Sequence, residues 1–267
     1  MTDFDALTDH GGDGPPILLL HGLMGRGRTW SRQVGWLRRY GRVFTVDAAF
    51  HAGPLDEPEL APDAIATERF VDDTVDALGR IAARTGDDRA AVLIGHSMGG
   101  LHAWCTAAAR PELVRGLVVE DMAPDFRGQT TRNWTPWFET WPDRFESLAQ
   151  AQEMFGEVAG RYFYEAFDDG RLHGHIDTFI AIADQWGRRD YWQQWAAVDV
   201  PTLLIEAGFT VAPPGQMAQM AVRNANAQHV VADGAGHLVH DDAPEFFRGA
   251  VEAFLSALPP AAIHTSR

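Results

Sequence analysis

The sequence predicts an α/β fold built on a mainly parallel, doubly wound sheet with a helical lid inserted into it. Short apolar runs alternate with amphipathic stretches of helical period, the chemically distinctive residues follow those runs, and the rhythm breaks once, over residues 125–197. With 267 residues, 46% hydrophobic and 22% charged, the chain can bury one sizeable core. The expected division is a core of residues 1–124 and 198–267 with a lid over 125–197.

Residues 17–20 (ILLL) and 42–46 (RVFTV) read as buried strands ending at His21-Gly22 and Asp47. Between them a helix over about 29–39 sets Trp30, Val34 and Leu37 near one face. A second helix, 67–83, carries Phe70, Val71, Val75, Leu78 and Ile81, and leads into a strand at 91–94. A small-residue helix follows Ser97 to about residue 110 and is stopped by Pro111, before a strand at 116–120. Residues 125–197 contain no strand-like run but hold six of the nine tryptophans: Trp134, Trp137, Trp141, Trp186, Trp192 and Trp195. Alternation then resumes, with a strand at 202–206, a helix at 216–222, a strand at 228–231 and a last helix at 244–258; the tail 259–267 reads as frayed. Sheets of this kind place their sites at the carboxyl ends of strands, where His21, Ser97, Asp121, Thr210 and His237 fall.

The formal charge is −15, with 22 Lys and Arg against 37 Asp and Glu, a field that repels phosphate backbones; no nucleic-acid partner is expected. The acidic start MTDFDALTDHGGDG lacks a basic region followed by an apolar one, and no apolar run approaches the ~18 residues of a membrane span. A cytoplasmic protein without membrane insertion is the expectation. The single Cys105, in an apolar helical stretch, reads as a packed thiol.

Gly95-His96-Ser97-Met98-Gly99 joins a strand to a helix, the setting a G-x-S-x-G nucleophile turn requires. So sharp a turn strains its central residue and leaves no room for side chains at the glycines; it raises the Ser97 hydroxyl over the positive end of the following helix. GHSMGG, the earlier HGLMG and the later GAGH together resemble the α/β-hydrolase superfamily over nearly the whole chain, from Ile17 to Leu258. The resemblance implies Ser97 as nucleophile and an oxyanion hole made by the backbone N–H groups of Leu23 and Met98, with Met24 a weaker second donor.

A serine hydroxyl needs a nearby imidazole to take its proton, and His237 in Gly234-Ala235-Gly236-His237 is the candidate; His240 reads as a surface or loop histidine. The acid departs from the commonest pattern of relatives, because Val211 stands where they carry an aspartate. Asp121 is favoured in its place, with Glu120 and Glu206 as alternatives. Its phrase D-M-A-P resembles the D-I-A-P of a group of small bacterial esterases, in which Thr210 would match an auxiliary hydroxyl. In a strand Glu120 and Asp121 point to opposite faces, so only one is expected to face the histidine.

His21 and His96 read as structural histidines, and Asp47 and His51-Ala52-Gly53 as turn formers. His173 and His175 lack a third ligand at fitting spacing, so no metal is expected. Trp134, Trp137 and Trp141 form a candidate pocket wall or a packing stripe. The expected activity is hydrolysis of small to medium acyl esters through an acyl-enzyme and without a cofactor, by machinery that can also cleave thioesters and lactones. The alternatives are a cofactor-free perhydrolase or haloperoxidase of the same fold, and a catalytically weak ligand-binding scaffold. Oligomeric state is not legible.

Overall fold

A computed structural model describes residues 6–52, 61–168, 170–171 and 176–261. His173, His175 and Gly53 lie outside them. Seven strands, β1 (Leu7–Asp9), β2 (Pro16–Leu20), β3 (Arg42–Val46), β4 (Ala91–His96), β5 (Val114–Glu120), β6 (Thr202–Ala207) and β7 (Ala227–Ala232), form one sheet in the order β1-β3-β2-β4-β5-β6-β7. All neighbours pair in parallel except β1, which runs antiparallel to β3. The α/β fold with a mainly parallel sheet is thus as the sequence predicts. Strand β1 is the addition: three residues in a polar context carry no period of their own, and only pairing with β3 makes them a strand.

The apolar runs are continuous because both faces of the sheet are covered. Period-2 alternation then splits each strand between two cores. Leu18, Leu20, Leu93, Leu117, Val119 and Leu204 pack on one face, while Ile17, Leu19, Val92, Ile94, Val118 and Ile205 pack on the other. The second face is closed by α1 (Ser31–Leu37), which a single turn over Gly27–Trp30 precedes, and the last helix, α10 (Pro244–Ala257), through Trp30, Trp36, Phe247, Val251 and Phe254. The first face takes α2 (Thr67–Thr85), α3 (Met98–Ala109) and α9 (Gln216–Arg223). Cys105 is buried in α3, and burial pushes its thiol far up. Among the described residues, no helix is long and apolar enough to cross a membrane.

Between β5 and β6 the chain forms α4 (Thr135–Phe138), α5 (Leu148–Phe155), α6 (Glu157–Ala166), α7 (Ile176–Trp186) and α8 (Trp192–Ala196). Trp195 anchors the end of this segment: it is fully buried, packs edge-on to Trp104 at 6.2 Å, and donates its indole N–H to the Met220 carbonyl at 2.9 Å. The end of α6 is tied to the loop after β2 by ions. Arg26 bridges Asp168 (3.0 Å) and Asp47 (3.1 Å), Arg28 also pairs with Asp168, and Arg32 meets Glu165 at 2.5 Å.

Candidate active site

Ser97 sits between β4 and α3 with φ 52° and ψ −123°, a left-handed strain that a non-glycine residue adopts only when its surroundings impose it. The glycines on either side explain how the turn closes. A Cβ at Gly95 would run into the Gly99 backbone, and one at Gly99 into the Leu20 carbonyl. The Ser97 N–H donates to the Glu120 carbonyl at 2.8 Å, fixing the turn against β5. Met98 opens α3, so its N–H has no intrahelical acceptor. Leu23, the other residue expected to offer an N–H, lines the same cavity as Ser97.

Asp121 follows β5, is fully buried, and takes φ 46°. Its carboxylate faces four donors. Oδ1 accepts the Ala207 N–H at 3.0 Å and the Thr210 hydroxyl at 2.6 Å; Oδ2 accepts the Val211 N–H at 3.3 Å and His237 Nδ1 at 2.6 Å. Burial pulls this carboxyl upward, but the hydrogen bond and charge of His237, then Thr210 and Ala207, outweigh it and leave it below its ordinary value. An ionised Asp121 can only accept, so the hydrogen-bond network assigns the His237 proton to Nδ1 and leaves Nε2 as the basic nitrogen. Val211, the position at which the resemblance implies an aspartate, contributes its backbone N–H to the Asp121 carboxylate.

Two expectations need correction. Glu120 does not serve His237, and His240 is not a surface residue. Glu120 (0% exposed) and His240 (1%) form a second buried pair, with His240 Nδ1 2.9 Å from both carboxylate oxygens and the His240 N–H donating to Oε1 at 2.8 Å. Adjacent acids thus take different histidines, Glu120 at the end of β5 meeting His240 and Asp121, at positive φ, meeting His237. Burial lowers the His240 pKa, but the charge and hydrogen bond of Glu120, with the charge of Asp241, raise it above its ordinary value. Glu206 is likewise engaged elsewhere, 2.7 Å from His229 Nε2.

His21 and His96 are buried and held by backbone. His21 Nε2 accepts the Ala48 N–H at 3.0 Å and its Nδ1–H donates to Gly22, while His96 Nε2–H donates to the His237 carbonyl at 3.1 Å. A Cβ at Gly22 would stand 2.6 Å from His96 Nδ1, so that glycine makes room for the ring beside the serine. Asp47 accepts the Gly27 N–H at 2.6 Å, and His51 packs between His21 and Phe179.

Ser97 and His237 open into one cavity of about 730 Å³, whose opposite wall comes from the inserted helices. Trp134 and Trp137 line it; Trp141 does not. Helix α4 ends at Phe138, so the helical spacing that would align the three fails, and Trp141 turns inward against Phe155 (4.5 Å) and Phe163 (4.6 Å). Tyr162, Phe163 and Trp186 of the inserted segment and Leu238 after β7 line the cavity as well; 159, 162 and 163 fall one helical turn apart on α6. A comparable space, about 760 Å³, lies beside β3 and α2 but contains neither Ser97 nor His237. Chemistry, not volume, separates the two.

Among proteins of known identity, the chain is 27% identical over 269 residues to an sn-1-specific diacylglycerol lipase of Mus musculus, covering 91% of this chain and 81% of the lipase. It is also 27% identical over 256 residues to the esterase YbfF of Escherichia coli K12, covering 90% of this chain and 93% of the esterase. The crystal structure of an E-2-(acetamidomethylene)succinate hydrolase superposes with a TM-score of 0.80 at 21% identity, over 94% of each chain, which establishes the shared fold. A sequence model of the alpha/beta hydrolase family matches residues 17–250, most of the chain, and with the sheet order and the strained serine turn already described, this chain belongs to the alpha/beta hydrolase family.

Proposed function

We propose that the protein is a serine carboxylic-ester hydrolase acting on small to medium acyl esters. Ser97 Oγ attacks the acyl carbon as His237 Nε2 takes its proton; Asp121 holds the imidazole in that tautomer and stabilises the imidazolium. The N–H groups of Leu23 and Met98 bind the developing oxyanion at the positive end of α3. His237 then protonates the departing alcohol, and water releases the acyl group by the reverse sequence. Thr210 supports the acid through the hydroxyl it donates to Asp121. Residues 125–197 act as a lid over the core of residues 1–124 and 198–267, excluding water and forming the acyl pocket.

The observation that supports this reading is the convergence of Ser97 and the Asp121–His237 pair on one apolar cavity. A carboxylate stands against His237 Nδ1, so the motive for a catalytically weak binding scaffold, an absent acid at Val211, falls away. The cavity volume lies in the range that takes a drug-sized ligand. Each methylene buried there is worth roughly 0.8 kcal/mol, about fourfold in kcat/KM.

The test is p-nitrophenyl ester turnover from acetate to octanoate, with Ser97→Ala beside the wild type. The expected result is kcat/KM rising a few-fold per methylene until the cavity fills, and a loss on the order of 10⁴-fold or more in the variant. A wild type inert at every chain length overturns the reading.

A further inference from the structure

The lining of the cavity is one-sided in charge. Trp134, Trp137, Phe155, Tyr162, Phe163 and Trp186 supply most of its wall, and the acidic side chains on it are the carboxyls of Glu157 and Asp242, beside the imidazoles of His96 and His237 and the Tyr162 phenol. Among the described residues, neither lysine nor arginine lines it. Several guanidinium groups of the same region are engaged with acids: Arg26 and Arg28 with Asp168, Arg32 with Glu165 and Asp241, and Arg161 with Glu157 at 3.7 Å. The imidazoles do not substitute for them. Burial, with the neighbouring His237 and His240, holds His96 well below its usual value, hence neutral. His237 must itself be neutral to act as a base.

We infer that this site, read as an ester hydrolase site, accepts esters whose acyl and alcohol parts carry no negative charge and rejects carboxylate-bearing ones. A carboxylate entering the cavity would leave water for aromatic surface with no lysine or arginine on the described wall to pair with, and would approach the acidic Asp242; Glu157, which Arg161 pairs, adds little. Asp242 already feels this environment: burial, then the charge of Asp241, raise its carboxyl above the ordinary value although the Gly236 N–H donates to it at 2.9 Å. The net charge of −15 adds a long-range field of the same sign. A neutral chain of equal length meets none of these penalties. The selectivity therefore arises from what the wall lacks.

The experiment compares p-nitrophenyl hexanoate with mono-p-nitrophenyl adipate, which differ at the chain end in a methyl against a carboxylate and share the leaving group. Both rates are corrected for reaction in buffer. The wild type is expected to favour hexanoate by on the order of 100-fold in kcat/KM. Val158→Arg, which places a cation on the cavity wall from the first turn of α6, is expected to narrow that ratio by at least about tenfold, mainly through a lower KM for the adipate. Adipate turned over within about threefold of hexanoate overturns the charge selectivity while leaving the ester-hydrolase reading in place. A Val158→Arg protein that melts like the wild type and keeps the wild-type ratio also overturns it, because charge would then not be the cause. If the wild type hydrolyses neither ester, the underlying ester-hydrolase reading fails, and this inference with it.

Discussion

Asp121→Asn isolates the acid with almost no change of shape. Oδ1 accepts the Ala207 N–H and the Thr210 hydroxyl, so the amide will keep its carbonyl oxygen there and place its NH₂ where Oδ2 stood. That NH₂ then faces His237 Nδ1, at 2.6 Å in the wild type, and can only donate. Nδ1 becomes the acceptor, the ring proton moves to Nε2, and the nitrogen proposed to take the Ser97 proton is blocked. A triad aspartate replaced in this way costs about 10⁴ in kcat, equivalent to about 5.5 kcal/mol of transition-state stabilisation. The new NH₂ also opposes the Val211 N–H, 3.3 Å from Oδ2, a local cost of about 1 kcal/mol that should move the melting temperature by only a few degrees. The assay is kcat and KM on p-nitrophenyl butyrate, with thermal melting followed by circular dichroism. A loss in kcat below about tenfold in a folded protein would refute the assignment of Asp121.

Two further outcomes follow from the packing. Trp137→Ala should raise KM for hexanoate-length esters with little change in melting temperature, because Trp137 lines the cavity and is 40% exposed; Trp141→Ala should do the reverse, costing about 3–5 kcal/mol of stability, a melting shift on the order of 10 °C. Equal KM effects from the two would contradict the placement of Trp141. For Glu120→Gln, the raised His240 pKa gives the sign: stability from the pair is fully present below the ordinary histidine value of 6.5 and is lost as pH rises through the raised value. The melting-temperature gap between wild type and variant should therefore be widest near pH 6 and narrow towards pH 9; a gap independent of pH would show that the pair carries no charge.

Much of the site is legible along the chain because its parts are local. The serine turn depends on glycines two residues either side of Ser97, and their spacing expresses a steric demand that the Leu20 and Gly99 backbones make visible. His237 lies in a glycine-rich loop directly after a strand, and Asp121 directly after another. What the linear order hides is which acid meets which histidine. Period-2 alternation assigns Glu120 and Asp121 to opposite faces, yet it does not show that each acid meets a histidine of its own, or that His240, polar in sequence, is buried over Trp30. The tryptophan stripe misleads for a related reason: helical spacing is informative only while the helix lasts, and α4 stops before Trp141.

The sequence alone therefore determined the alternating strands and helices, the two-sided burial of the sheet and the serine turn, since each rests on residues within a few positions of one another. The tertiary structure decided that the inserted helices face Ser97 across a shared cavity, that β1 joins the sheet at all, and that His237 reaches Asp121 while His240 reaches Glu120. Those contacts join positions 116 and 120 residues apart. No local period encodes them, because they exist only when the loop after β7 folds back over the end of β5.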